Sequence, residues 1–378
     1  MTGPARPPVL DELRAVVRDP ATIPRAWKAA GGKVAGVRCL FAPEEILWAA
    51  GMLPYPLPGS PEPVRLADAW LQPCTCEYVR NLLDHALDGR LAFLDLLALS
   101  NTCDITRRLL DVWPQCMPGT PVHLVNNPQK LLEDGNRQFF LEELRRFQAR
   151  AEAVSGKPVT PEGLREATRL YDETRALLTE LYGLRREDPP RLTGPEAFVA
   201  AFAASILPKD RANTLLRRLL DELRSSEPPD RFGPRILVTG SALDDPALLE
   251  LIEEVGGLVV ADDLCTTSRW FAHPVGTDGE PLDALWRMLN KRTLCACTFP
   301  TEARFDRILA MVDEFHADAV VQFNLKYCHP FLHESQPLRK RLEARNVPLT
   351  ILEVGHDRSG FGQLRTRIQA FLEMVEQP

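Results

Sequence analysis

The sequence predicts an α/β protein with two parallel-sheet parts and a helical layer between them. Three observations carry that expectation. Short apolar strands alternate with amphipathic helices in two separate stretches, residues 31–135 and 229–378. A strand-free run of long amphipathic segments, residues 136–228, lies between them. Within the second stretch, RILVTGS, DDPALLELIEEVGG and LVVADDLC follow one another as a βαβ unit, whose crossover is right-handed by rule.

Each element has its local reason. Residues 1–30 form a helical segment, one short helix broken at Pro20, and mix charge and proline with no apolar stretch of the kind a secretory signal needs. Residues 34–40 read as a strand. Pro43 stands at a first helical turn, where a missing N–H costs nothing, and 44–50 read as a helix closed by Gly51. CEYVRNLLDHALDG repeats Val79, Leu82, Leu83 and Leu87 at helical spacing. LAFLDLLALS is then a strand, TCDITRRLLDVW a helix and PVHLVNNPQK a short strand. In the middle region, FFLEELRRFQARAEAVSG, PEGLREATRLYDETRALLTELYGLRR and DRANTLLRRLLDELRSS are helical, several acidic at the start and basic at the end, as the helix dipole favours. EDPPRLTGPE interrupts them, and PPDRFGP at 228–234 reads as a linker. Beyond the βαβ unit, DAVVQFNLKYC and LTILEVGHD read as strands, PLRKRLEARNVP and QLRTRIQAFLEMVEQ as helices. Both sheet-bearing parts are expected to be Rossmann-like.

Composition narrows the function. In 378 residues, 45% hydrophobic and 26% charged residues are the balance of a soluble globular chain. A net charge of −7 supplies no basic field for nucleic acid. The longest apolar stretch, residues 197–207, is far short of the ~20 residues needed to cross a bilayer. A cytoplasmic protein with neither nucleic acid nor membrane as partner is the expectation. In a reducing compartment its nine cysteines read as metal ligands, catalytic thiols or small core residues, not disulfides.

Their positions are informative. Cys103, Cys265 and Cys328 each follow a predicted parallel strand, where open α/β sheets place ligands. Cys76 opens a helix, and helix N-termini favour thiolates. Cys295 and Cys297 form a CxC whose two side chains can reach neighbouring metal atoms. Cys39 reads as a buried residue inside a strand, Cys74 as a spare or alternate ligand, and Cys116 as an incidental loop residue. There is no CxxC pair, which argues against a zinc ribbon or a thioredoxin-type site, and no closely spaced ferredoxin run. Ligands scattered from Cys76 to Cys328 imply a cluster assembled by the fold, between the two sheet-bearing parts.

The elements CEYVRNLLDHALDG, LSNTCDITRRLLDVW, VVADDLCTTSRWF, KYCHPFLHESQPLRKRLEARNVPLTILE and GQLRTRIQAFLEM, in that order, resemble the 2-hydroxyacyl-CoA dehydratase and benzoyl-CoA reductase family, of the 2-hydroxyglutaryl-CoA dehydratase D-component type. The likeness runs from about Val34 to Met374. It implies a [4Fe–4S] cluster held by Cys76, Cys103 and Cys328 and single electrons delivered by an ATP-hydrolysing iron–sulfur activator. In the dehydratases of the family a ketyl radical made from the thioester allows loss of the β-proton and the α-hydroxyl. Cys265 in a DDLC-like position and the CxC of Cys295 and Cys297 resemble the double-cubane branch of the family, where two sets of three thiolates suit an [8Fe–9S] cluster. His329, where many dehydratase-type relatives carry an acidic residue, fits the same branch.

The reading that follows is an ATP-activator-dependent low-potential reductase acting on a small molecule. Its alternatives are a one-cubane dehydratase or benzoyl-CoA reductase subunit acting on an acyl-CoA, and a non-catalytic electron carrier. The resemblance implies a homodimer or a dimer with a homologous subunit. His329 and Glu334 are the candidates for proton delivery, and His333 is read as facing solvent. Arg80, Arg107, Arg269 and His329 stand near the ligands in sequence and could donate to the sulfurs, with ordinary helix-face solvation the favoured reading for most of the arginines. VTGSALDD lacks both phosphate-loop patterns, which argues against ATP or NAD; Gly240 and Ser241 are expected to line the cluster or substrate crevice. Asp262 and Asp263 are expected to support Cys265 rather than act as acids.

Overall fold

The computed structural model describes residues 6–292 and 295–376. It contains two four-stranded, all-parallel sheets with helices between them, the mixed α/β class expected. The first sheet is built from β1 (Lys33–Arg38), β2 (Met52–Pro56), β3 (Leu96–Ser100) and β4 (Val122–Val125), in the order β2-β1-β3-β4. The second comprises β5 (Arg235–Gly240), β6 (Leu258–Asp263), β7 (Ala319–Leu325) and β8 (Leu349–Val354), in the order β6-β5-β7-β8. The two orders are the same. In each sheet the chain steps to one side of its first strand and then crosses to the other, so a crevice opens at the carboxyl ends of the two central strands.

β2 is not expected from the sequence because Pro54 and Pro56 break the strand pattern. It survives as an edge strand, the place where a missing N–H is tolerated. Pro20 does separate two helices, Val9–Arg18 and Thr22–Ala29. Cys116 is not in a loop: it closes the helix Asp104–Cys116, which carries on through Pro114.

The middle region contributes four long helices, Arg137–Ser155, Pro161–Gly183, Gly194–Ile206 and Lys209–Ser225. The apolar stretch 197–207 lies almost wholly in the third. A capping box at Thr193 and Glu196 starts that helix, and it is buried on every face because β2, β6 and the helices Val9–Arg18 and Lys209–Ser225 all pack on it. Its approach to β6 is so close that a Cβ on Gly194 would stand 2.4 Å from the Cβ of Val259. No helix among the described residues is long and apolar enough to cross a membrane.

Gly240 ends β5 with φ +136°, and a Cβ there would lie 1.8 Å from the Phe323 carbonyl oxygen on β7. Ser241 N–H donates to that same oxygen at 2.8 Å. Only glycine allows the chain to leave the sheet this close to its neighbour. Gly240→Ala is therefore expected to cost about 2–4 kcal/mol, read as a lower urea midpoint; an unchanged midpoint would refute the close packing.

Candidate metal centre

The strand ends and helix starts bring the thiols together. Cys76, Cys103 and Cys328 each occupy the position just before a helix, ahead of Glu77–Leu87, Asp104–Cys116 and His329–Glu343. At Cys76 and Cys103 first-turn N–H groups, which have no helical partners, turn toward the sulfur. Cys76 receives such bonds from Tyr78 and Val79. Cys103 lies 3.1 Å from the Thr106 hydroxyl, and Cys328 bonds Ser241. Cys76 belongs to the first sheet's helices and Cys328 to the second's, yet their side chains hydrogen-bond to each other. That bond lowers the Cys76 thiol to about 6 and raises Cys328.

Cys295 and Cys297 form a second such pair. The Cys297 thiol and its N–H, 3.4 Å from the Cys295 sulfur, both serve Cys295 and draw it down to about 6, while Cys297 rises. Phe299 anchors the segment to the first sheet's side of the molecule: its N–H donates to the Gln129 carbonyl at 2.7 Å and its carbonyl accepts from Leu131 at 2.8 Å.

Cys39 is not inside a strand. β1 stops at Arg38, and Cys39 turns with φ 97° into a cavity of about 80 Å³ that Cys265, Cys295, Tyr78 and Trp270 also line. Burial, reinforced by Cys295, pushes its thiol up to about 11. Arg38 shares the cavity. Its guanidinium stacks 4.6 Å over the Tyr78 ring, and its Nε is buried without a hydrogen-bond partner. Burial works against its charge, but the Tyr78 hydroxyl and the thiols of Cys39, Cys103 and Cys76 more than offset that, and its pKa rises. Among the described residues Arg38 has no carboxylate within salt-bridge distance. Arg38 is not among the residues expected from sequence, where its one signal is its position as the last residue of a central parallel strand.

The arginines divide between solvation and donation to sulfur. Arg107 is exposed, as solvation requires. Arg80 is buried, pairs with Asp68 at 2.5 Å and donates to the Thr75 carbonyl beside Cys76. Arg269 is fully buried and donates to the Cys265 sulfur at 3.3 Å, the Gly240 carbonyl at 3.2 Å and both oxygens of Asp263. Arg304 completes the group: it bonds Asp263 at 2.6 Å and both oxygens of Glu334, at 2.8 and 2.9 Å. The Phe331 ring lies about 5 Å from both guanidinium carbons. Two cations and two anions close a neutral set away from water, and the arginines hold Asp263 far below the ordinary carboxylate range against its burial. Asp262 is likewise structural, accepting from Arg185 at 3.0 Å and from Thr267.

Of the residues read as proton donors, Glu334 has both oxygens on Arg304, and His329 is exposed, its ring 6.5 Å from that of His333. A buried acid unsuspected from sequence, Glu44, borders the thiol cavity instead. Its Oε1 accepts from the Trp270 indole at 2.9 Å, its Oε2 has no hydrogen-bond partner, and burial raises its pKa in spite of Lys209 at 3.9 Å.

The family model for 2-hydroxyglutaryl-CoA dehydratase, D-component, matches residues 39–375. The chain belongs to that family. It is similar to the (R)-phenyllactyl-CoA dehydratase beta subunit of Clostridium sporogenes, 26% identical with 97% of this chain and 98% of the relative covered. It is also similar to a benzoyl-CoA reductase subunit of Thauera aromatica, 26% identical over 94% of each chain. A third relative is the (R)-2-hydroxyglutaryl-CoA dehydratase subunit beta of Acidaminococcus fermentans, 26% identical over 97% of this chain and 99% of the relative.

This dehydratase-family chain offers a donor set suited to an iron–sulfur group. Among the described residues no three His, Cys, Asp or Glu side chains close on a single ion. A cluster asks something else, one thiolate at each of several irons spread around a cage. Free thiols at helix starts, with Arg38 and Arg269 beside them, match that demand in charge and kind.

Replacing Glu334 with Gln would leave Arg304 and Arg269 facing a single buried carboxylate. Glu334→Gln is expected to destabilise cluster-free protein by about 3 kcal/mol, seen in urea titration, and a wild-type midpoint would show that the carboxylate is not needed there.

Proposed function

We propose that this chain is an iron–sulfur enzyme subunit, a low-potential reductase of the double-cubane type that takes single electrons from an ATP-hydrolysing iron–sulfur activator and passes them to a small molecule. The observation that supports the reading is the meeting of Cys76 and Cys328, from opposite halves of the chain, beside Cys103 and next to further thiols at Cys265, Cys295 and Cys297. Cys76, Cys103 and Cys328 would hold one half of the cluster, and Cys265 with the CxC the other. When bound, such a group supplies electrons one at a time, at a potential set by its charge and its hydrogen bonds.

The protein's own residues have assigned tasks in this proposal. Arg269 and Ser241 orient the Cys265 and Cys328 sulfurs. Arg38 supplies uncompensated positive charge within the cavity, where a reduced cluster or an anionic substrate gains most from it. Gly240 lets β5 and β7 close up behind Ser241. His329, at the surface next to Cys328, delivers protons, while Glu334 acts through Arg304 as a positioning residue. The protein works as a homodimer or beside a homologous subunit, in the cytoplasm.

A one-cubane subunit acting on an acyl-CoA is the second reading, favoured by the names of the relatives, which are subunits of acyl-CoA dehydratases and of benzoyl-CoA reductase. Anaerobic iron and sulfide counting separates the two. About eight irons per chain are expected, falling to about four when Cys295 and Cys297 are both replaced by Ala. About four irons, unchanged in that variant, would leave the one-cubane reading standing.

A further inference from the structure

Three segments that are distant in sequence each end a thiol in one cavity: the turn after β1, the turn after β6, and the CxC loop. One buried side chain fixes all three. Arg292, 3% exposed and close before the CxC, donates to the carbonyl of Leu40, next to Cys39, and to that of Trp270, in the short helix beyond Cys265. The cavity is lined by Cys39, Cys265 and Cys295, and Cys297 is not among its lining residues. Instead, the Cys297 N–H donates to the Cys295 sulfur at 3.4 Å. Arg38, which lacks a carboxylate partner among the described residues, lies against the same space.

From this juxtaposition we infer that the second thiolate set is Cys39, Cys265 and Cys295, with Cys297 a supporting donor to Cys295 and not an iron ligand. The inference rests on the two-set reading above and revises which thiols make up its second half. Cys39 is suited to the task by its place. It follows a central strand of the first sheet, as Cys103 does, so the second set, like the first, takes thiols from both halves of the chain. The Cys39 thiol also bonds Thr102, the residue before Cys103, which brings the two sets side by side.

The test is iron and sulfide content, with electron paramagnetic resonance spectra of the dithionite-reduced protein, on the full chain purified anaerobically. Cys39→Ser is expected to lose about half the wild-type iron, a twofold drop, while keeping the signal of the first set. Cys297→Ser is expected to keep wild-type content. Wild-type content in Cys39→Ser together with a twofold loss in Cys297→Ser would overturn the inference and leave the two-set reading intact. A wild type that holds only about four irons would sink both. Should Cys39→Ser fail to fold, alkylation mapping of the wild type replaces it. Cys39 blocked from iodoacetamide while iron is bound and labelled after chelation supports the inference; Cys39 labelled equally in both states, with Cys297 the protected thiol, overturns it.

Discussion

In each sheet the chain leaves its first strand toward one side, returns, and crosses to the other, so two loops part at the carboxyl ends of the central strands. That constraint recurs in both halves and sets everything at the centre. Cys39 and Cys103 follow the central strands of the first sheet; Ser241 and Cys328 follow those of the second. The hydrogen bond between Cys76 and Cys328, the Arg292 bridge and the Phe299 strand pairing then hold the two sets of loops against one another. The helix Gly194–Ile206 packs on both β2 and β6 and so links the two sheets.

Charge is organised around that meeting in two different ways. Behind Cys265, Asp263, Arg269, Arg304 and Glu334 form an electrically neutral group, so the N–H that Arg269 donates to the Cys265 sulfur comes from a guanidinium that cannot swing away. Beside Cys39, Arg38 is the opposite case, a cation resting on an aromatic face and surrounded by thiols. The first arrangement confers rigidity and the second leaves net positive charge near the sulfurs. Negative charge introduced at the centre is favoured most by the second, because a low-dielectric surrounding leaves the interaction poorly screened.

Much of this is legible in sequence. The alternation of strands and helices marks both sheets, and the strand-end position marks Cys103, Cys265 and Cys328. The misses have definite physical causes. Prolines hide β2, because sequence patterns do not say which strand is at an edge. Cys39 reads as part of β1 because its apolar neighbours Val37, Leu40 and Phe41 continue the strand pattern, whereas the backbone turns left-handed one residue after Arg38. Arg269, Arg304 and Glu334 are spread over separate elements, and no spacing rule announces that their side chains will meet. Glu44, a first-turn acid at a helix start, gives every sign of a surface residue until the Trp270 indole and Lys209 are seen to enclose it.

The meeting of Cys76 and Cys328 has a mechanical side. Those residues sit on opposite halves of the chain, and each half has its own parallel sheet. Anything that binds both sulfurs together is a rivet through two plates: it shortens the loop the unfolded chain can explore, as a disulfide would, without either sulfur being oxidised to the other. A link of that kind would add to the Arg292 bridge and the Phe299 pairing, which already tie the two halves together without it.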